Sequence, residues 1–192
     1  MIKKDNNEAN NSKIGRLKIR EMEIDDIAKV FHLGEDLFEA QSLQNLYRTW
    51  DEFEVVELYL GDSEYCLVAE IDDELVGFAL GTTVTKSRSA WKYGHLIWLG
   101  VAPGHQRTGV AEKLFNKFRQ MMMEDGVRML IVDSQAGNTQ GLKFFEKMGF
   151  SHPIEHIYLS MNLSEAPRQK RPTGKKKAKI VKKANAKRED RN

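Results

Sequence analysis

The spacing of apolar and polar residues changes several times along the chain, and each change marks a predicted element. Alternating runs rich in β-branched residues predict strands, and apolar residues three and four apart predict helices. The predicted strands cover 16–20, 65–70, 75–85, 93–102, 128–133 and 156–163, and the predicted helices cover 25–38, 51–60, 110–124 and 139–148. The segment 71–74, Ile-Asp-Asp-Glu, lies between two strand-like runs and predicts a hairpin turn with acidic residues. This order predicts an α/β fold with a mixed sheet and helices on its faces.

Length and composition indicate one domain of ordinary size with additional segments. The chain has 192 residues, of which 41% are hydrophobic, enough to bury a core. Residues 1–15 are expected to be a flexible N-terminus, and residues 1–13 lack the apolar stretch of a secretory signal. No apolar run approaches the length needed to span a membrane. We therefore expect a cytoplasmic protein without a membrane partner.

The sequence contains one cysteine, Cys66, which lies within a strand-like run. It cannot form an internal disulfide, and neither a helix N-terminus nor a basic pair adjoins it. A buried, unreactive thiol is therefore favoured over a catalytic one.

The net charge of +2 conceals a strong segregation of charge. Residues 165–192 carry 12 Lys or Arg and 3 Asp or Glu, whereas residues 1–164 carry 18 and 25. The segment 164–192 has too few large apolar residues to fold alone, and a disordered basic tail is predicted. Residues 166–192 could contact nucleic acid or the ribosome by neutralising phosphates. The alternative is a solubilising tail that lies against the acidic body.

Residues 96–111 predict a strand, a short loop and the start of a helix. The N–H groups that begin a helix lack backbone acceptors, and the helix dipole favours negative charge in front of them. Gly109 has no Cβ to hold a ligand away from this loop. Neither G-x-x-x-x-G-K-[ST] nor G-x-G-x-x-G is present. The segment is typical of a different phosphate-binding loop, or of an ordinary α/β loop with a packing glycine.

Residues 106–111, Gln-Arg-Thr-Gly-Val-Ala, resemble the [QR]-x-x-G-x-[GA] signature of the GNAT (Gcn5-related) N-acetyltransferases. Residues 138–150 resemble a second block of that family, N-x-x-[AG]-x-x-[LF]-[YF]-x-x-x-G-F. The resemblance covers about residues 16–163 and implies a single domain with the GNAT fold. It also implies acetyl-CoA as co-substrate and no metal.

By the same resemblance, the backbone N–H of Val101 would polarise the acetyl carbonyl, and Leu99 and Gly100 would line the pantetheine. The loop would hold the pyrophosphate, and Asn138 would contact the cofactor through its side chain. The implied cofactor-binding residues are Leu99, Gly100, Val101, Gln106, Arg107, Thr108, Gly109, Val110, Ala111, Glu112, Asn138 and Phe145.

Acetyl transfer to an amine needs a group that accepts the proton of the amine. His95 is on the strand before the loop, where histone-type members carry a glutamate, and an imidazole can accept a proton at neutral pH. Asp133 takes the place of a glutamate found in protein N-terminal acetyltransferases. Each also has a structural interpretation: His95 as a strand histidine satisfied by its neighbours, and Asp133 as an acid that orients the following loop.

The departure from the family pattern is Phe145, because many members have a tyrosine there that protonates the thiolate of CoA. Phenylalanine has no proton to donate. Tyr158 is a candidate replacement, and the alternatives are Tyr93, Ser134 and water.

The favoured function is direct transfer of acetyl to a protein N-terminus, a lysine or a small-molecule amine. The alternative is a CoA-binding module with weak or no catalysis that the basic tail tethers to nucleic acid or the ribosome. Four aromatic residues are candidates for the wall of an acceptor groove or, alternatively, for the core: Phe31, Phe38, Tyr47 and Trp50.

Overall fold

A computed structural model describes residues 16–38, 49–85, 91–157, 159 and 161. Its strands are β1 (Lys18–Glu21), β2 (Cys66–Ile71), β3 (Glu74–Thr85), β4 (Lys92–Val101) and β5 (Met129–Val132). Its helices are α1 (Ile27–Phe38), α2 (Glu52–Asp62), α3 (Val110–Glu124) and α4 (Thr139–Lys147). The N-terminal residues 1–15, Tyr47 and the basic segment 164–192 lie outside the described residues.

The five strands form one mixed sheet in the order β1-β2-β3-β4-β5. The first three pairings are antiparallel, and β4 pairs with β5 in parallel. The β2–β3 hairpin turns at Asp72 and Asp73, whose φ angles of 52° and 65° suit a tight hairpin turn. The predicted mixed α/β architecture is confirmed.

The two faces of the sheet bury separate apolar clusters. Helix α3 covers one face with Leu114, Phe115, Phe118 and Met122, which are fully buried. Helices α1 and α2 cover part of the other face, where Phe78 and Trp98 pack against elements from the first half of the chain. The three central strands β2, β3 and β4 supply both clusters, because successive side chains of a strand point to opposite faces.

Trp50 lies in the second cluster rather than on an exposed groove wall. Its ring stacks on Phe78 with the centroids 5.3 Å apart, and its indole N–H donates to the carbonyl of Phe31 at 3.0 Å. A Cβ at Gly34 of α1 would lie 2.0 Å from the Trp50 ring, so the helix approaches the indole closely only because this residue is glycine. The core interpretation of Trp50 therefore holds.

The Cys66 thiol is fully buried, and burial raises its pKa to about 12. It is not a thiolate at neutral pH, which agrees with an unreactive thiol.

The predicted strand at 156–163 is wrong for its described residues. His156, Ile157, Leu159 and Met161 belong to no strand, and the side chain of Ile157 is 86% exposed. Alternation of apolar and polar residues indicates which face would be buried, but a strand also needs a hydrogen-bonded neighbour. All helices and strands lie in the unit Met1–Pro153, and none is found in the described part of the unit Ile154–Asn192.

No helix in the described parts of the chain is long and apolar enough to cross a bilayer.

An ion-pair network links β1 to Asp26, directly before α1, and to β2. The Arg20 guanidinium donates to both carboxylate oxygens of Asp26, at 2.5 and 3.0 Å, and to Glu70. Asp26 is buried and also accepts from the N–H of Glu23 at 2.9 Å. The hydrogen bonds from Arg20 lower the pKa of both Asp26 and Glu70.

We predict that Asp26→Asn lowers the free energy of unfolding by about 2–3 kcal/mol, because Arg20 loses a partly buried partner. Carboxylates with a depressed folded-state pKa stabilise the fold above their unfolded pKa, and this stabilisation is lost as the pH falls through the folded value. The wild type should therefore lose stability below about pH 4, and the variant should show a shallower loss.

Urea unfolding between pH 7 and pH 3 measures both effects, with the exposed neighbour Asp25→Asn as the matched control. An acid dependence of Asp26→Asn as steep as that of the wild type would contradict the prediction.

Candidate active site

Strand β4 contains a β-bulge at Ile97. Trp98 pairs with Leu80 of β3 and Leu96 pairs with Gly81, so Ile97 is an extra residue without a partner in β3. Such a bulge bends a strand and strengthens its twist. The pairing of β4 with β5 also ends here, at Leu96 and Val132. Residues 97–101 therefore continue along β3 while their other edge faces an opening between β4 and β5.

The backbone of Val101 faces this opening. The N–H of the next residue, Ala102, donates to the carbonyl of Val76 at 2.9 Å, toward β3. Because successive residues of an antiparallel strand direct their N–H and C=O groups to opposite sides, those of Val101 point away from β3. The side-chain amide of Gln106 donates to the Val101 carbonyl at 3.1 Å. Gln106 thus satisfies the carbonyl, and the N–H is directed toward the opening.

Leu99 and Gly100, which the family resemblance assigns to the pantetheine, directly precede Val101 on β4. Gly100 is buried, and Leu99 is half-buried against the cluster beneath α3. The bulge and the separation of the two strands thus place Leu99, Gly100 and Val101 along an edge of β4 that is not paired with β5.

The loop after β4 turns tightly into α3. Arg107 and Gly109 have φ angles of 62° and 92°, in the left-handed region. The Thr108 hydroxyl donates to the His105 carbonyl at 2.6 Å. A Cβ at Gly109 would meet no atom within 4 Å, so the space beside this residue is open. Glycine is needed here for its φ angle rather than to avoid a collision.

The first N–H groups of α3 lie beside the loop. The first backbone hydrogen bond of the helix runs from the Lys113 N–H to the Gly109 carbonyl at 3.0 Å. The N–H groups of Val110, Ala111 and Glu112 precede this bond and therefore have no acceptor within the helix. Together with the helix dipole, they form a surface suited to an anion.

The carboxylate of Glu112 lies in the first turn of α3, where it would oppose a bound phosphate. The ammonium group of Lys147, near the end of α4, lies 2.7 Å from it. The ion pair offsets the negative charge of Glu112 and links the two helices. Sequence reasoning did not find Lys147, because no local pattern connects residues 35 positions apart.

Asn138 caps α4. Its side-chain oxygen accepts from the Gly141 N–H at 2.9 Å, and its amide donates to the Ser134 hydroxyl at 3.1 Å. These bonds hold the connection between β5 and α4. The half-buried ring of Phe145 packs against Phe144 and Phe150, with the centroids 5.4 and 5.5 Å apart.

The two candidate bases contact each other. His95 lies opposite Ile131, one residue before the pairing of β4 and β5 ends, and Asp133 directly follows β5. The Nε2 atom of His95 lies 3.1 Å from a carboxylate oxygen of Asp133. The two side chains are 19% and 48% exposed, so the pair is accessible. An ionised carboxylate can only accept, so Nε2 carries the proton and the lone pair of the neutral ring is on Nδ1.

Of the two tyrosines that are candidate proton donors, the structure describes Tyr93 but not Tyr158. Tyr93 is two residues before His95 on β4 and therefore lies on the same face of the sheet. In the described parts of the chain, no group of three or more His, Cys, Asp or Glu is arranged to hold a metal ion.

Comparison with known proteins identifies relatives of this fold. A model of the acetyltransferase (GNAT) family matches residues 27–150. An aminoglycoside acetyltransferase from an uncultured soil metagenomic sample, in complex with sisomicin, is 21% identical; the match covers 76% of this chain and 97% of that chain, with a TM-score of 0.60.

Two further structures are similar to the same extent. The aminoglycoside N-acetyltransferase AAC(6')-Iy in complex with CoA is 19% identical, over 76% of this chain and 95% of that chain, with a TM-score of 0.61. The ribosomal-protein-alanine N-acetyltransferase of Brucella melitensis biovar Abortus 2308 is 19% identical, over 76% and 99%, with a TM-score of 0.59. At these identities the likeness shows the fold alone.

We predict that Gly109→Ala lowers the free energy of unfolding by about 1–2 kcal/mol, because its φ of 92° is unfavourable for a residue with a Cβ. Gly104→Ala is the matched control: its added Cβ also meets no atom within 4 Å, and its φ is not positive. Denaturant unfolding of both variants measures the difference. Equal stability of the two variants would show that the left-handed conformation of Gly109 is not required.

Proposed function

Because the acetyltransferase family model matches most of this chain, residues 27–150, the chain belongs to the GNAT acetyltransferase family, and we propose that it transfers acetyl from acetyl-CoA directly to an amine. Acetyl-CoA supplies an activated thioester. The residues of the chain bind it, polarise its carbonyl and accept the proton of the amine.

The opening between β4 and β5 and the start of α3 are suited to acetyl-CoA. The N–H groups of Val110, Ala111 and Glu112, with the cation Arg107 two residues before Gly109, would hold the pyrophosphate. Leu99 and Gly100 would border the pantetheine. Val101 would donate its N–H to the thioester carbonyl, where negative charge increases as the amine attacks.

The observation that carries the proposal is the contact between His95 and Asp133 at the point where β4 and β5 separate. In the proposed reaction the amine nitrogen forms a bond to the acetyl carbon, and the bond from that carbon to sulfur breaks. The proton of the amine passes to Nδ1 of His95. Asp133 orients the ring and stabilises its protonated form, as a carboxylate does in other pairs of this kind.

Direct transfer is favoured because Cys66 is buried and its raised pKa keeps it protonated. Phe145 cannot protonate the departing thiolate. A thiolate is a stable leaving group at neutral pH, so its proton can come from water.

We predict that His95→Ala lowers kcat/KM by about 100-fold to 1,000-fold, the usual contribution of a general base. Binding of acetyl-CoA, measured by calorimetry, should stay within about twofold, because His95 does not contribute to the proposed cofactor surface. Release of free CoA thiol with a panel of peptides, polyamines and aminoglycosides provides the rates.

The control is His32→Ala, which should leave the rate unchanged, because the side chain of His32 on α1 is 74% exposed and lies 2.9 Å from the carboxylate of Glu35. Binding of acetyl-CoA without thiol release on any acceptor would contradict catalysis and favour a CoA-binding module.

We also predict that the effects of His95→Ala and Asp133→Asn are not additive. If Asp133 acts through His95, Asp133→Asn should lower kcat in the wild type by about tenfold or more and have almost no effect in His95→Ala. The double-mutant cycle of kcat measures this coupling. Fully additive effects would mean that the two residues act independently.

A further inference from the structure

A row of polar side chains crosses the sheet beside the His95–Asp133 pair. Thr82 of β3 lies directly opposite His95 of β4, so the two side chains share one face. The Thr82 hydroxyl donates to a carboxylate oxygen of Asp62, the last residue of α2. The row therefore runs from Asp62 through Thr82 and His95 to Asp133, with a carboxylate at each end.

The geometry of the sheet sets the length of this row. Neighbouring strands lie about 4.8 Å apart, so the two steps from β3 to β5 span about 10 Å, with Asp62 held on the β3 side by the Thr82 hydroxyl. An amine that reacts at His95 lies near the middle of this distance. A second charged group, a few bonds away on the same molecule, would then reach Asp62.

Charge on the surrounding elements favours a cation. Residues 51–65, which include all of α2, contain six Asp or Glu and no Lys or Arg. The carboxylate of Asp62 is partly exposed and is held in place by the Thr82 hydroxyl. A positively charged ligand is attracted by such a surface, and an anionic ligand is repelled.

Two aromatic rings extend the same face and provide an independent indication. Tyr93 is two residues before His95 on β4, and its ring centroid lies 6.4 Å from that of Trp91. The side chain of Trp91 is 47% exposed. Aromatic faces attract ammonium groups, so carboxylates and rings on this face suit the same kind of ligand.

We propose that the acceptor carries at least two cationic groups and that Asp62 binds the second group while the reacting amine lies beside His95 and Asp133. This inference rests on the proposed acetyl transfer. Asp62 is then a residue that determines specificity, with no part in the chemical step. The second charge also assists the reaction, because a nearby like charge makes the reacting ammonium easier to deprotonate.

The experiment compares matched acceptors that differ in the second cationic group. The first pair is n-butylamine with 1,4-diaminobutane, and the second is glucosamine with sisomicin. The third is a peptide whose central lysine lies between alanines, paired with a peptide in which those alanines are replaced by lysines. Thiol release gives kcat and KM for each acceptor with the wild type, Asp62→Asn and Glu64→Gln. Asn retains the oxygen that accepts from Thr82, and Glu64→Gln removes a nearby exposed carboxylate as the matched control.

We expect the wild type to favour the polycationic member of at least one pair by tenfold or more in kcat/KM. Asp62→Asn should reduce that preference to less than threefold through KM, with kcat within twofold, and Glu64→Gln should leave it unchanged. Equal use of both members in every pair overturns the inference, as does an equal loss for both members in Asp62→Asn. Absence of thiol release with all six acceptors contradicts the proposed acetyl transfer itself, and the inference with it.

Discussion

The separation of β5 from β4 after Leu96 is the constraint on which the site depends. Strand β4 remains paired with β3 as far as Val101, so its position is held from one side only. Inside a protein, a backbone group without a partner is unfavourable. The Val101 carbonyl is satisfied by Gln106, a residue of the loop that follows. The N–H of the same residue is directed to the opening, where a carbonyl oxygen of a ligand can accept from it.

The same separation accounts for the proton acceptor. His95 lies one residue before the last paired residue of β4, and Asp133 is the first residue beyond the end of β5. If pairing continued further, Asp133 would be part of a regular ladder rather than at the edge of an opening. The carboxylate that contacts the imidazole is therefore at the margin of the proposed cofactor site, where an amine can reach both.

One continuous segment connects the parts of the proposed site in the order in which a long ligand would meet them. His95, Val101 and Gly109 follow one another along β4 and its loop, and α3 starts directly after Gly109. Proton transfer, carbonyl polarisation and phosphate binding thus depend on the path of a single strand. The bulge at Ile97 and the left-handed turn at Gly109 shape this path.

The sequence was most informative where local patterns decide the structure. The observed β4, α3 and α4 begin and end within one residue of their predicted limits, because their apolar spacing and their flanking Gly and Asn residues are local signals. The contact of His95 with Asp133 was not predicted, since it depends on the register between strands 38 residues apart. The bulge at Ile97 lies in an apolar run that looks like any buried strand, and the link from Asp62 to Thr82 joins two elements without a shared motif.

The most direct test is an NMR titration of ¹⁵N-labelled protein, separately with CoA and with acetyl-CoA, in which the backbone amide signal of Val101 is followed. Only acetyl-CoA has the thioester carbonyl. We expect both ligands to shift the amides of Val110, Ala111 and Glu112 alike, whereas the Val101 amide should differ most between the two complexes. A Val101 amide with the same shift in both complexes would contradict the assignment of its N–H to the acetyl carbonyl.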